Sequence, residues 1–239
     1  MSALAGSALV GGMVWARELW NYWKPRRVGI YGPALVGKTT LDRFMTTPGE
    51  MADIEKRTTH SERMIGAGHV LPPPSRKRIR WKGEKRVIHS SDLGGQQRFW
   101  NLWIDDMVER QVEMVIFMID DRAQSGNGSD TIDAVGGLEY LVDALIDRRW
   151  KYRSLKSRWK GQKYAPKQIW VVANKADLWW DNQANILWQS QRLREHPIFN
   201  PYRPAMVKLQ KAGIPCRVSM MATKIGWNVE QTLVDMLTW

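Results

Sequence analysis

Gly32-Pro33-Ala34-Leu35-Val36-Gly37-Lys38-Thr39 spells G-x-x-x-x-G-K-T. In such a run the backbone N–H groups turn inward around an anion, and the glycines permit the close approach. The residues before it, Arg27-Val28-Gly29-Ile30-Tyr31, read as a short buried strand, and Thr40-Leu41-Asp42-Arg43-Phe44-Met45 as the opening of a helix. A helix N-terminus adds further N–H groups and a dipole that favours negative charge. The pattern therefore predicts a phosphate cradle built from Gly32, Ala34, Leu35, Val36, Gly37, Lys38, Thr39 and Thr40. Lys38 is expected to reach the β- and γ-phosphates of a nucleotide and the Thr39 hydroxyl to hold Mg²⁺. A chance glycine-rich turn would explain neither the Lys-Thr after the second glycine nor the strand before the first.

Outward from this loop, helical and strand patterns alternate. Lys77–Trp81 and Arg86–Ser91, joined by a Lys82-Gly83-Glu84-Lys85 turn, read as a β-hairpin. From Gln97 to Arg110, apolar residues recur at spacings of three and four, as on one face of a helix. Val112–Ile119, Gln168–Ala173 and Cys216–Met220 read as strands, with helices from about Thr131, from Pro204 to Lys211 and from Asn228 to Leu237. Almost continuously apolar strands alternating with helices predict an α/β fold of the P-loop NTPase class, its mostly parallel sheet covered on both faces. No internal repeat interrupts residues 25–239, which are read as one domain behind an apolar, aromatic segment over 1–24.

Two polar turns follow strands, and a third follows the last one. Asp92-Leu93-Gly94-Gly95-Gln96 ends the second hairpin strand. An acid there can hold Mg²⁺ through water, Gly95 can offer its N–H to a γ-phosphate, and Gln96 can orient an attacking water. Asn174-Lys175-Ala176-Asp177 ends the Gln168–Ala173 strand. The carboxylate of Asp177 is suited to accept from both N1–H and N2–H₂ of guanine, a pair that adenine lacks. Ala222-Thr223-Lys224 fits the remaining base loop, with a backbone N–H donating to guanine O6 and Lys224 beside the base.

These four elements, in this order, resemble the Ras superfamily of small GTPases. Asp-Leu-Gly-Gly-Gln, the Leu102-Trp103 that follows and Gly-Lys-Thr-Thr look most like its Arf and Sar branch. The resemblance runs from about Val28 to Leu237. It implies a six-stranded sheet, GTP and Mg²⁺ binding, slow hydrolysis and two switch segments. It assigns Thr59 or Thr58 as the switch threonine on Mg²⁺, Asp92 to the metal through water, and Gln96 to the attacking water. Three features depart from the family pattern. The first-switch region is lengthened over about 60–75. Pro33 and Ala34 crowd a loop where relatives carry smaller residues. Neither Gly at position 2 nor a C-terminal Cys offers a lipid site.

The chain has 239 residues, a net charge of +12 and 14 tryptophans. Its single cysteine excludes a disulfide framework and a cysteine-built zinc site, and suits a reducing, cytoplasmic setting. The apolar run over 3–16 is too short for a bilayer span of ~20 residues. It reads equally as a packing helix or as an interfacial anchor carrying Trp15, Trp20 and Trp23. From 148 to 167 basic residues interleave with Trp150, Tyr152, Trp159 and Tyr164 without an acid, and a second basic cluster lies on the hairpin. A solvated helix extension, a patch for anionic membrane on the inner leaflet and, less favoured, a nucleic-acid patch compete for these charges. The leading expectation is a GTP-hydrolysing switch with an effector and an activating protein. The alternative is a nucleotide-bound scaffold with negligible hydrolysis whose basic surface recruits membrane or RNA.

Overall fold

The computed structural model describes residues 26–46, 64–65, 68–69, 75–81, 84–123, 129–148 and 165–237. The 1–24 segment, Thr58, Thr59, most of the 60–75 region and nearly all of the basic stretch lie outside the described residues.

The protein is an α/β structure centred on four parallel strands: β1 (Arg26–Tyr31), β2 (Met114–Ile119), β3 (Gln168–Ala173) and β4 (Cys216–Met220). They lie side by side in chain order, β1 against β2, β2 against β3 and β3 against β4. On the other side of β1 runs the backbone of Glu84–Asp92, parallel to it, with Asp92 opposite Ile30. Ser75–Trp81 pairs antiparallel with Glu84–Asp92, and the ladder reaches Trp81 opposite Glu84. Glu84 and Lys85, expected in the turn, thus belong to the strand.

Both faces are covered because the inner strands, Gln168 apart, are apolar. Every residue of β2 and β3 is buried, and alternate side chains must point to opposite faces. Val115, Phe117 and Ile119 join Trp103, Leu138, Leu141, Met206 and Leu209 in the larger core. That core lies under α2 (Trp100–Arg110), α3 (Ser129–Arg148) and α5 (Arg203–Lys211). Met114, Ile116 and Met118 join Leu41, Val229 and Leu233 on the opposite face, under α1 (Lys38–Thr46) and α6 (Val229–Leu237). No helix among the described residues is long and apolar enough to cross a membrane.

A further helix, α4 (Asn182–Gln189), occupies a region that periodicity leaves unassigned. Its start is decided by chemistry rather than by pattern: the Asp181 carboxylate accepts from the Ala184 N–H at 2.7 Å, as an N-cap does.

α2 is tied to β1 by a buried polar contact. The Tyr31 hydroxyl donates to Asp106 Oδ2 at 2.6 Å, and Arg110 Nε lies 2.9 Å from Asp106 Oδ1. Asp106 is fully buried. The Tyr31 ring lies where a side chain on Gly29 would stand, so glycine is required at that position of β1. Removing one partner of a buried ionic contact strands the other in a poorly solvating medium, at about 3–5 kcal/mol. Asp106→Ala is accordingly expected to lower unfolding stability by about 3–5 kcal/mol, read as a shifted midpoint in urea denaturation.

Candidate functional site

The chain leaves β1 through α1 to one side of the sheet and returns through α2 to β2 on the other. The carboxyl end of β1 is therefore a topological switch point, where open parallel sheets form a ligand crevice. The loop Gly32–Gly37 stands there. Three of its residues have positive φ: Gly32 at 136°, Leu35 at 62° and Gly37 at 95°. A side chain on Gly32 would overlap the Met118 backbone of β2, and one on Gly37 would overlap the Asn174 amide. Two of these positions thus need glycine for both conformation and space.

Lys38 is buried, and its Nζ donates back to the carbonyls of Gly32 at 2.9 Å and Pro33 at 2.6 Å. The ammonium is thereby held over the loop rather than extended into solvent. Thr39 and Thr40 follow, half-buried in the first turn of α1. That turn carries no acid to oppose an anion at its N-terminus. Val36 is fully buried beneath the loop, Ala34 is half-buried and Leu35 is exposed.

Of the other sequence-predicted residues, Gly95, Asn174 and Thr223 meet this loop, each from a separate strand end. Gly95 rests directly against it, since a Cβ there would overlap the backbone of Gly32, Pro33 and Ala34. The Trp103 indole N–H supports this approach by donating to the Gly94 carbonyl at 3.0 Å. Gln96 follows, partly exposed, with extended backbone. For Asp92 only the backbone position beside Ile30 is described.

Asn174 is the junction. Its Nδ2 donates to the Val36 carbonyl at 2.7 Å and to Thr223 Oγ1 at 3.0 Å, while its Oδ1 accepts from the Thr223 N–H at 3.0 Å. The side chain is buried, so its polar atoms must find partners within the protein. One amide thus joins the Gly32–Gly37 loop, the Asn174–Asp177 loop and the Ala222–Lys224 loop. Lys175 has a left-handed backbone, φ 58°, and is followed by a single helical turn, Ala176–Trp179. Asp177 is exposed on that turn, and Lys224 is exposed on its loop, whereas Ala222 and Thr223 are buried. Mutual hydrogen bonds between Ala222 and Trp227 close the latter loop.

Three contributors escaped the motif reading. Asp120, at the end of β2, is buried and accepts from Lys175 Nζ at 2.9 Å and from Arg122 Nε at 2.8 Å. The same Arg122 donates through its second nitrogen to the Ala34 carbonyl at 2.7 Å. The Trp179 indole N–H donates to the Asn174 carbonyl at 2.8 Å. The signal available for Asp120 is a carboxylate at the carboxyl end of a buried parallel strand.

Thr39 carries a hydroxyl of the kind Mg²⁺ accepts, a cation that takes few protein ligands and completes its shell with phosphate and water. No cluster of three or more acid, histidine or cysteine side chains that would cage a metal by itself occurs among the described residues.

Asn174→Ala should loosen the junction. It leaves the Val36 carbonyl and Thr223 N–H without their partner and is expected to lower stability by about 2 kcal/mol. Faster amide exchange at Gly37 and Thr223, with little change in β2, would distinguish local loosening from general destabilisation.

No protein-family model matches the chain, and no curated protein is significantly similar to it in sequence.

Proposed function

We propose that the protein binds guanine nucleotide with Mg²⁺ and hydrolyses GTP to GDP and phosphate, cycling as a molecular switch on a six-stranded P-loop fold. The observation that carries this reading is the junction at Asn174. One buried amide joins a glycine-rich anion cradle to the two loops whose residue types suit guanine. A nucleotide spans such a junction, with phosphates on Gly32–Thr40 and base toward Asp177 and Ala222–Lys224.

In this reading Lys38 and the loop N–H groups balance the phosphate charge. Thr39, Thr59 or Thr58, and Asp92 through water, would hold Mg²⁺, which would supply further charge neutralisation. Gly95, seated against Pro33 and Ala34, offers its N–H toward the terminal phosphate, and Gln96 orients the attacking water. An arginine supplied by an activating protein would accelerate hydrolysis by roughly 10³–10⁵. The switch acts on an effector from the cytoplasm, or peripherally at the inner face of a membrane through its basic surface.

Isothermal titration with GTP and ATP tests base selection. GTP should bind tighter, and Asp177→Asn should remove that preference, since an amide cannot accept from both guanine donors. Equal binding of ATP and GTP by the wild type would overturn the assignment. Gln96→Leu should reduce single-turnover phosphate release by about tenfold or more while leaving GDP affinity near the wild-type value. Phosphate release unaffected by Gln96→Leu would remove its catalytic role. Absence of release from the wild type, even with activators, would favour the scaffold.

A further inference from the structure

Asp120 and Arg122 belong to neither the phosphate motif nor the base motif, yet they touch both. Arg122 uses two nitrogens at once, Nε on Asp120 Oδ2 and a terminal nitrogen on the Ala34 carbonyl. Lys175 approaches the same carboxylate oxygen from the base loop. The carboxylate is buried, and its Oδ1 has no hydrogen-bond partner among the described residues. The buried Tyr202 lies nearby; its hydroxyl is pushed well above the usual phenol range, first by burial and then by the Asp120 charge. Asp120 is therefore a charge in a poorly screened setting, where the positions of its two cations matter most.

The consequence for the phosphate loop follows from peptide geometry. The Ala34 carbonyl and the Leu35 N–H belong to one planar unit and point in opposite directions. Holding the carbonyl against Arg122 turns the Leu35 N–H the other way. Leu35 adopts φ 62°, a left-handed conformation disfavoured for a leucine and in need of support from outside. Lys175, the second cation on Asp120, is itself left-handed at φ 58°. One buried carboxylate thus steadies a left-handed residue in each loop, directly for Lys175 and through Arg122 for Leu35.

We infer that Arg122, anchored by Asp120, is a positioning residue that aims the Leu35 N–H at the nucleotide's phosphates, and that Asp120 couples this phosphate loop to the base loop through Lys175. The inference rests on the nucleotide reading of the same site. The full-length protein carrying Arg122→Ala, Arg122→Lys or Asp120→Asn would be titrated with GDP and with ADP, and melted without nucleotide. Arg122→Ala should weaken GDP binding by about tenfold, the scale of a lost charge-assisted hydrogen bond, while leaving the GDP-to-ADP preference unchanged. Arg122→Lys should recover part of the loss, because it keeps the charge but lacks the fork that spans Asp120 and Ala34. Asp120→Asn should weaken GDP at least as much and also narrow the preference over ADP, since Lys175 loses its anchor.

GDP affinity equal to the wild type in Arg122→Ala would overturn the inference. So would an unchanged GDP-to-ADP preference in Asp120→Asn. If Arg122→Ala does not fold, Arg122→Lys carries the test, and wild-type GDP affinity in that variant is likewise fatal. A wild type that binds neither nucleotide overturns the underlying nucleotide reading, an outcome distinct from wild-type affinity in the variants.

Discussion

The Asn174 side chain satisfies both the donor and the acceptor side of its amide inside the protein, on Val36 of one loop and Thr223 of another. Each loop extends from the carboxyl end of a different parallel strand, and none of the three is a regular element that could hold its own shape. A buried amide tolerates little rotation, because every donor and acceptor it abandons stays desolvated. The relative placement of the loops therefore follows from one residue, and Gly37 must be glycine because that residue stands where its side chain would be.

What Asn174 can organise depends on the sheet beneath. β2 and β3 are apolar on both faces, so they hold a fixed register between two helical layers and present their carboxyl ends at one rim. The first polar residues beyond them are Asp120 and Asn174, on neighbouring strands. The Asn174 N–H bonds to the Ile119 carbonyl at 2.8 Å, continuing the strand pairing into the loop. The site is an extension of the sheet, and its rigidity is borrowed from the core. On the other side of β1, the Tyr31–Asp106–Arg110 contact joins the helix that follows Gln96 to the strand that precedes Gly32. Movement of that helix would disturb the strand carrying the Gly32–Gly37 loop.

Much of this was legible in the residue pattern. Continuous apolar runs announced the inner strands, and Gly32, Gly37 and Gly95, marked by their motifs, stand where the structure leaves no room for a side chain. The illegible parts share a physical character. α4 depends on one capping carboxylate in a stretch whose composition is mixed. Glu84 and Lys85 join the hairpin strand because pairing across the ladder outweighs the local turn signal of Lys-Gly. Arg122 reaches Ala34 across 88 positions of chain, and no local periodicity encodes such a contact. Asn174 was read as a base-loop residue; that its amide also fastens Val36 could not be inferred from spacing. Sequence motifs mark what a ligand would touch, whereas the residues that hold those motifs in place are defined only once the strands are assembled.

The two fasteners differ in how they act. Asn174 works through direction: a neutral amide whose three contacts depend on its orientation as well as its distance. Asp120 works through charge, drawing Lys175 and Arg122 to a single oxygen. Coulomb attraction falls slowly with distance, so that contact tolerates displacement better than the amide does. The directional fastener meets the loop at Val36, and the charged one reaches it through Arg122 at Ala34. That division matches the burial of the loop, where Val36 is fully enclosed and Leu35 lies open to solvent.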